Sequence, residues 1–151
     1  IGPIQSNKTK AIAEHFSWVH SVDRLKIALR LNEQRPKDLE PLNICIQVNI
    51  NDEDSKSGIP LNELDALCTE ISTLSNIKLR GLMTIPASSL GDEALRDSFK
   101  LMNTAFEQLK LKYPTVDMLS MGMSGDIEAA IEEGSTMVRV GTALFGARAK
   151  K

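Results

Sequence analysis

The chain is short of the residues that most often announce chemistry by themselves. Its 151 residues include two cysteines and two histidines. Cys45 and Cys68 each stand in apolar surroundings, without CxxC spacing or a histidine nearby. That reads as buried thiols in a reducing, cytoplasmic compartment and argues against a disulfide framework. His15 and His20 have no acidic or thiol cluster at ligand spacing, so no metal site is expected. The apolar runs are far shorter than a membrane span, and no basic segment followed by an apolar one opens the chain. A net charge of −2 offers no basic surface for nucleic acid or an anionic membrane. No G-x-G-x-x-G is present, which counts against a dinucleotide fold. An initiator Met is lacking as well. Ile1 to Ile4 reads as the end of a strand and its turn, so a piece of a longer chain is expected.

What is present alternates. Hydrophobic content of 42% and charged content of 25% suit a globular domain with a real core. Ser17–Val22 reads as a strand, followed through Asp23 as N-cap by a helix that Pro36 ends. Asn43–Ile50 is the clearest strand, with Ile44, Ile46, Val48 and Ile50 on one face and Cys45, Gln47 and Asn49 on the other. Leu61, Leu64, Leu67, Ile71 and Leu74 step by three and four, as do Leu95, Phe99, Met102, Phe106 and Leu109, which predicts two amphipathic helices. Between and after them, "KLRGLMTI", "DMLSMGM" and "TMVRVG" read as strands. "GDIEAAIEE" reads as a short helix stopped by Gly134.

Repeated βα units require parallel strands joined by crossovers, and two architectures satisfy that: an open doubly wound sheet or a (β/α)8 barrel. The polar tips Asn49, Thr84, Ser124 and Thr142 all fall at strand C-terminal ends, where barrel sites are built. At roughly 30 residues per βα unit, a barrel would lack about 60 residues at its front. The loops "GMSGD" and "VGTALFG" would then follow the last two strands, the usual phosphate-binding position in such barrels. Ser124 would open a helix whose free N–H groups favour an anion. Gly125 and Gly141 would allow close approach of backbone, Thr142 would add a hydroxyl, and Arg139 a full positive charge. Each feature has a plainer reading: Ser124 as a cap, Gly141 as a turn, Arg139 as half of an ion pair.

At these residues the chain resembles the pyridoxal phosphate homeostasis protein family. The resemblance runs through "IGPIQSNK", "SVDRL", "VNINDEDSKSGI", "RGLMTIP" and above all "LSMGMSGDIEAAIEEGSTMVRVGTALFGAR". It implies the fold-type III barrel of the alanine racemase N-terminal domain, as one partial domain over residues 1–151 lacking about the first two βα units. It implies a protein that binds pyridoxal 5′-phosphate, buffers it and hands it to apo-enzymes, without catalytic turnover. It also implies that Ser124, Gly141 and Thr142 bind the phosphate and that Arg139 lies beside the phosphate or the ring nitrogen. Ile1 and Gly2 would lie below the ring, and Met83 would pack against it. The family's Schiff-base lysine belongs to a first-strand motif that this sequence does not contain. Lys8 and Lys56 read as solvated surface lysines, so no lysine here is assigned a catalytic role.

Two enzyme readings stand beside the carrier. A fold-type III racemase needs a second acid–base residue, and the single tyrosine, Tyr113, falls at a helix end away from the expected site. A barrel enzyme acting on a phosphorylated sugar or indole would want paired carboxylates or a buried lysine at the strand tips. Asp52, Glu53 and Asp54 cluster after a strand but read as a solvated turn.

Overall fold

The computed structural model describes residues 1–51 and 57–146. Among these residues five strands follow one another: β1 (Trp18–Val22), β2 (Leu42–Val48), β3 (Ile77–Thr84), β4 (Met118–Met123) and β5 (Met137–Arg139). Six helices accompany them: α1 (Thr9–His15), α2 (Leu25–Gln34), α3 (Leu64–Ser72), α4 (Asp92–Lys112), α5 (Ile127–Glu132) and α6 (Thr142–Phe145). Every strand pair is parallel, and the sheet order is β1-β2-β3-β4-β5. A doubly wound sheet reverses its order at a switch point; this one never does.

The hydrophobic steps set the helix layer. In α4, Phe99, Met102, Phe106 and Leu109 are buried, as the spacing predicts, and Leu95 packs partly against them. Asp92 and Glu93 in its first turn and Lys110 and Lys112 in its last complement the helix dipole. Ile27, Ala28 and Leu31 of α2, and Leu64, Cys68 and Ile71 of α3, complete that layer. They meet Ile44, Ile46, Leu82, Leu119 and Met121 from the sheet in one core. Each such side chain, fully buried, contributes about 1.5–3 kcal/mol. None of the helices among the described residues is long and apolar enough to cross a membrane.

Three sequence expectations need correction. Asp23 does not cap α2: the N-cap position is Arg24, without a side-chain cap bond, and the Asp23 carboxylate accepts from the Arg24 guanidinium instead. Residues 1–5 carry no strand; a 3-10 turn at Ser6–Lys8 leads into α1, which the sequence reading passed over. Its short length and weak apolar stripe hid it. Ser124 does not open α5, whose N-cap is Asp126.

The sheet is strongly curved. On a flat sheet β1 and β4 would lie about 14 Å apart, three strand spacings. Yet His20 Nδ1 of β1 and Ser120 Oγ of β4 are 2.9 Å apart. Side chains of this size close that gap only across a concave face.

Candidate functional site

Strand register identifies the residues that face the concavity. Gln47 pairs with Met83 and Met83 with Ser120; Ser120 pairs in turn with Met137. Partners in a parallel ladder point the same way, so these four share the inner face with Cys45 and Arg139, two positions along. Cys45 and Met83 are fully buried yet lie outside the sheet–helix core. Burial pushes the Cys45 thiol up to about 12, and burial does the same to Cys68 in the helix layer. Both remain free thiols.

Register shifts adjust what the inner face presents. On β1, Val19 and Val22 oppose Ile44 and Ile46, so His20 and Ser21 together stand against Cys45. On β3, Arg80 is the extra residue between the Ile44–Leu79 and Cys45–Gly81 pairs. On β4, Met121 and Gly122 stand between the Ser120–Met137 and Met123–Arg139 pairs. Such bulges re-aim side chains beside functional sites. The glycines are required: a Cβ on Gly81 would stand 1.7 Å from the Met118 carbonyl oxygen, and one on Gly122 would stand 2.6 Å from the Ala130 Cβ.

At the C-terminal end of this face lies a buried polar network. The Arg139 guanidinium donates to Ser120 Oγ at 2.8 Å and to the Thr84 carbonyl at 2.9 Å. Ser120 in turn meets His20, and Thr84 Oγ1 donates to the Val48 carbonyl. Burial lowers the Arg139 pKa from its ordinary value, partly offset by the Asp126 charge. Among the described residues no carboxylate lies within ion-pair distance of Arg139. Gln47 donates to the Ser57 carbonyl, while its Oε1 is buried with no partner among the described residues.

The two loops that follow β4 and β5 meet here. The Ala143 N–H donates to Ser124 Oγ at 3.3 Å, joining Ser124 to the Gly141–Thr142 turn. Gly141 is the N-cap of α6, and its carbonyl accepts from Leu144 and Phe145. Asp126 tightens the other loop by accepting from the Met123 N–H. No backbone partner exists among the described residues for the N–H groups of Ser124, Gly125, Gly141 and Thr142. A Cβ on Gly125 or Gly141 would meet open space.

The structure therefore brings Ser124, Gly141 and Thr142 together at one end, and it sets Arg139 and Met83 on the adjoining inner face. Ile1 and Gly2 lie on the β1 side of the sheet. With Phe16, Trp18 and Ser21 they line a cavity of about 220 Å³, where the Gly2 carbonyl accepts from Ser21 Oγ. Lys8 is exposed in the 3-10 turn. Lys56 and the acids Asp52, Glu53 and Asp54 lie outside the described residues. Tyr113 follows α4 in the helix layer, beside Thr69. No group of three or more metal-ligating side chains exists among the described residues. His20 and Ser120 were missed as site residues. The available signal was polarity at alternate positions inside otherwise apolar strands.

The family profile of the alanine racemase N-terminal domain matches residues 1–149. The chain belongs to that family. Within it, the resemblance read from the motifs holds. A pyridoxal phosphate homeostasis protein of Escherichia coli is 57% identical over 148 residues, covering 98% of this chain and 63% of its own length. The namesake of Vibrio cholerae is 56% identical with the same coverage. This chain thus spans 63% of the length of these curated relatives. PipY of Synechococcus elongatus, in a structure with PLP bound, superposes with a TM-score of 0.88 at 35% identity, over 97% of this chain and 68% of its own. An alanine racemase of Clostridium difficile shares the fold alone, with a TM-score of 0.71 at 19% identity, over 99% of this chain and 39% of its own.

Proposed function

We propose that this chain is the phosphate- and ring-holding part of a protein that binds pyridoxal 5′-phosphate in a cytoplasmic homeostasis role. The observation that carries the reading is Arg139: a half-buried guanidinium held, among the described residues, by neutral oxygens alone, directly beside two loops whose N–H groups have no backbone partner there. The donor set fits the cofactor. Four loop N–H groups and the hydroxyls of Ser124 and Thr142 suit a phosphate dianion, and the space above Gly125 and Gly141 leaves room for it. Arg139 spends two of its five N–H donors on Ser120 and Thr84, which leaves three for the phosphate or the ring nitrogen. Met83, in the row between Gln47 and Ser120, would pack against the ring.

When bound, the cofactor supplies a reactive aldehyde and an electron-withdrawing ring. This chain's residues hold it and keep it from water. Residues 1–151 form one partial domain of a (β/α)8 barrel. The sequential strand order and the curvature support that reading, as does the superposition on PipY. The family's attachment lysine belongs to the barrel's first strand, and no lysine of this chain is assigned its role. The free, buried thiols suit a reducing compartment.

A carrier that passes the cofactor to apo-enzymes is favoured over a racemase. Tyr113, the sole candidate for a second acid–base phenol, sits in the helix layer rather than on the inner face. The relatives' names, homeostasis proteins rather than enzymes, point the same way. The test is equilibrium dialysis against pyridoxal 5′-phosphate. The wild-type chain is expected to retain it, and Ser124→Ala and Arg139→Gln to retain it more weakly while keeping their far-UV circular dichroism. Unchanged retention by both variants would sink the site.

A further inference from the structure

We propose that His20 is a positioning residue for Arg139: from the bulge on β1 it accepts the Ser120 hydroxyl proton, and so keeps the Ser120 oxygen turned to receive the guanidinium. This rests on the binding reading above and adds a proton-sensitive element to the same site.

The argument is one of donors and acceptors. Arg139 can only donate, so Ser120 Oγ accepts from it across 2.8 Å. The single Ser120 proton then needs an acceptor, and His20 Nδ1 stands 2.9 Å away. The neutral ring, protonated at Nε2, satisfies both bonds at once. Ser120 is fully buried and His20 nearly so, so an unmade bond would find little water to replace it. The bulge explains how a β1 residue reaches this far: two residues occupy the place opposite Cys45, with Ser21 turned to Gly2 and His20 turned inward.

Protonating His20 reverses the arrangement. Nδ1–H becomes a donor, Ser120 must accept from two cations' N–H groups, and its own proton loses its acceptor. The charges around the ring also oppose protonation. Burial lowers the His20 pKa first, and the Arg139 guanidinium acts in the same direction. The Cys45 thiol across the bulge stays neutral, and Asp126 faces Arg139 rather than His20. Arg80 at the far end of the face is neutralised by Asp117. Acid therefore loosens Arg139 through Ser120, and bound cofactor in turn makes His20 harder to protonate.

Two measurements decide it. The first needs no ligand: NMR titration of the His20 ring in the wild-type chain, Ser120→Ala and Arg139→Gln. The relay predicts a midpoint that rises in both variants, one losing the hydroxyl donor and the other the nearby charge; a midpoint unmoved in both overturns it. The second is the dissociation constant of pyridoxal 5′-phosphate from pH 8 to pH 5 in wild type, His20→Asn and His20→Ala. Asn places an oxygen where Nδ1 stood and does not titrate. The Asn variant should match wild type at pH 8 and bind about fivefold more tightly than it at pH 5, the worth of one hydrogen bond. A wild-type to Asn ratio constant with pH, or His20→Ala binding as tightly as wild type, overturns the proposal. Absence of any wild-type binding at pH 8 would refute the functional reading instead, and the ring titration would still judge the relay.

Discussion

Two arginines share the concave face, and their surroundings differ completely. At its N-terminal end Arg80 forms a bidentate pair with Asp117, donates to Asn43 Oδ1 and lies over the Trp18 ring, 4.6 Å from its centroid. That charge is spent. Arg80 is half-buried and Asp117 more exposed, and the pair holds the Asp117 carboxyl below the usual carboxylate range. At the C-terminal end Arg139 meets only a hydroxyl and a carbonyl, and among the described residues no carboxylate neutralises it. Both guanidiniums brace the curved sheet. The contrast shows that pairing with a carboxylate turns an arginine into a strut, whereas neutral partners fix its position and leave its charge available to an anion.

The sharpest way to break this comparison is to remove each guanidinium in turn. Arg139→Gln should weaken pyridoxal 5′-phosphate binding about 10- to 100-fold, the loss of a charge-assisted contact worth about 1.5–3 kcal/mol, with the urea midpoint nearly unchanged. Arg80→Ala should do the opposite. It should lower stability by about 1–2 kcal/mol in urea denaturation, a figure kept small because Asp117 is more than half exposed and screened by solvent, and leave neutral-pH binding alone. If Arg80→Ala weakened binding as much as Arg139→Gln, the division between strut and site would be wrong.

Smaller effects sharpen it. Ser124→Ala removes one neutral acceptor and hydroxyl donor, so a three- to tenfold rise in dissociation constant is expected by calorimetry, about 1 kcal/mol. Stability should also fall in mild acid. His20 has a lowered pKa when folded, so the unfolded chain binds its proton first; the loss begins below the unfolded value near 6.5 and levels off below the folded value. Urea midpoints between pH 8 and 5 measure it, and His20→Asn should flatten that part of the profile. Smallest of all is the response of the thiols. With both pushed up to about 12, Cys45 and Cys68 should react with a thiol reagent at pH 7 no faster than the chain unfolds.

The layers of this fold were legible in the sequence because period-2 and period-3.6 patterns report burial directly. β2 alternated Ile44, Ile46 and Val48 against Cys45 and Gln47, and α4 stepped from Leu95 to Leu109, and both lie where those steps put them. The loops after β4 and β5 were legible from their small residues, and Ser124 does meet the turn at Gly141 and Thr142. What connects them was not. A bulge adds one residue without changing composition, so neither the inward turn of His20 nor the displacement of Arg80 leaves a mark in the pattern. His20 and Ser120 lie 100 residues apart, and Arg80 and Asp117 lie 37 apart. Side-chain bonds over such separations depend on curvature, which no local period encodes. Ile1 and Gly2 were placed by resemblance alone, and in this chain they sit beside Ser21 on the β1 side of the sheet.

The strictly sequential strand order bears on how such a chain is made. Each strand can add to the edge left by the one before it as the polypeptide lengthens, so pairing proceeds in the order of synthesis, one helical crossover at a time. The His20–Ser120–Arg139 connection cannot form that way. Its first member, on β1, waits through β2 and β3 for partners on β4 and β5. This link across three strands is thus among the last contacts the described stretch acquires, made only once β5 has joined the sheet.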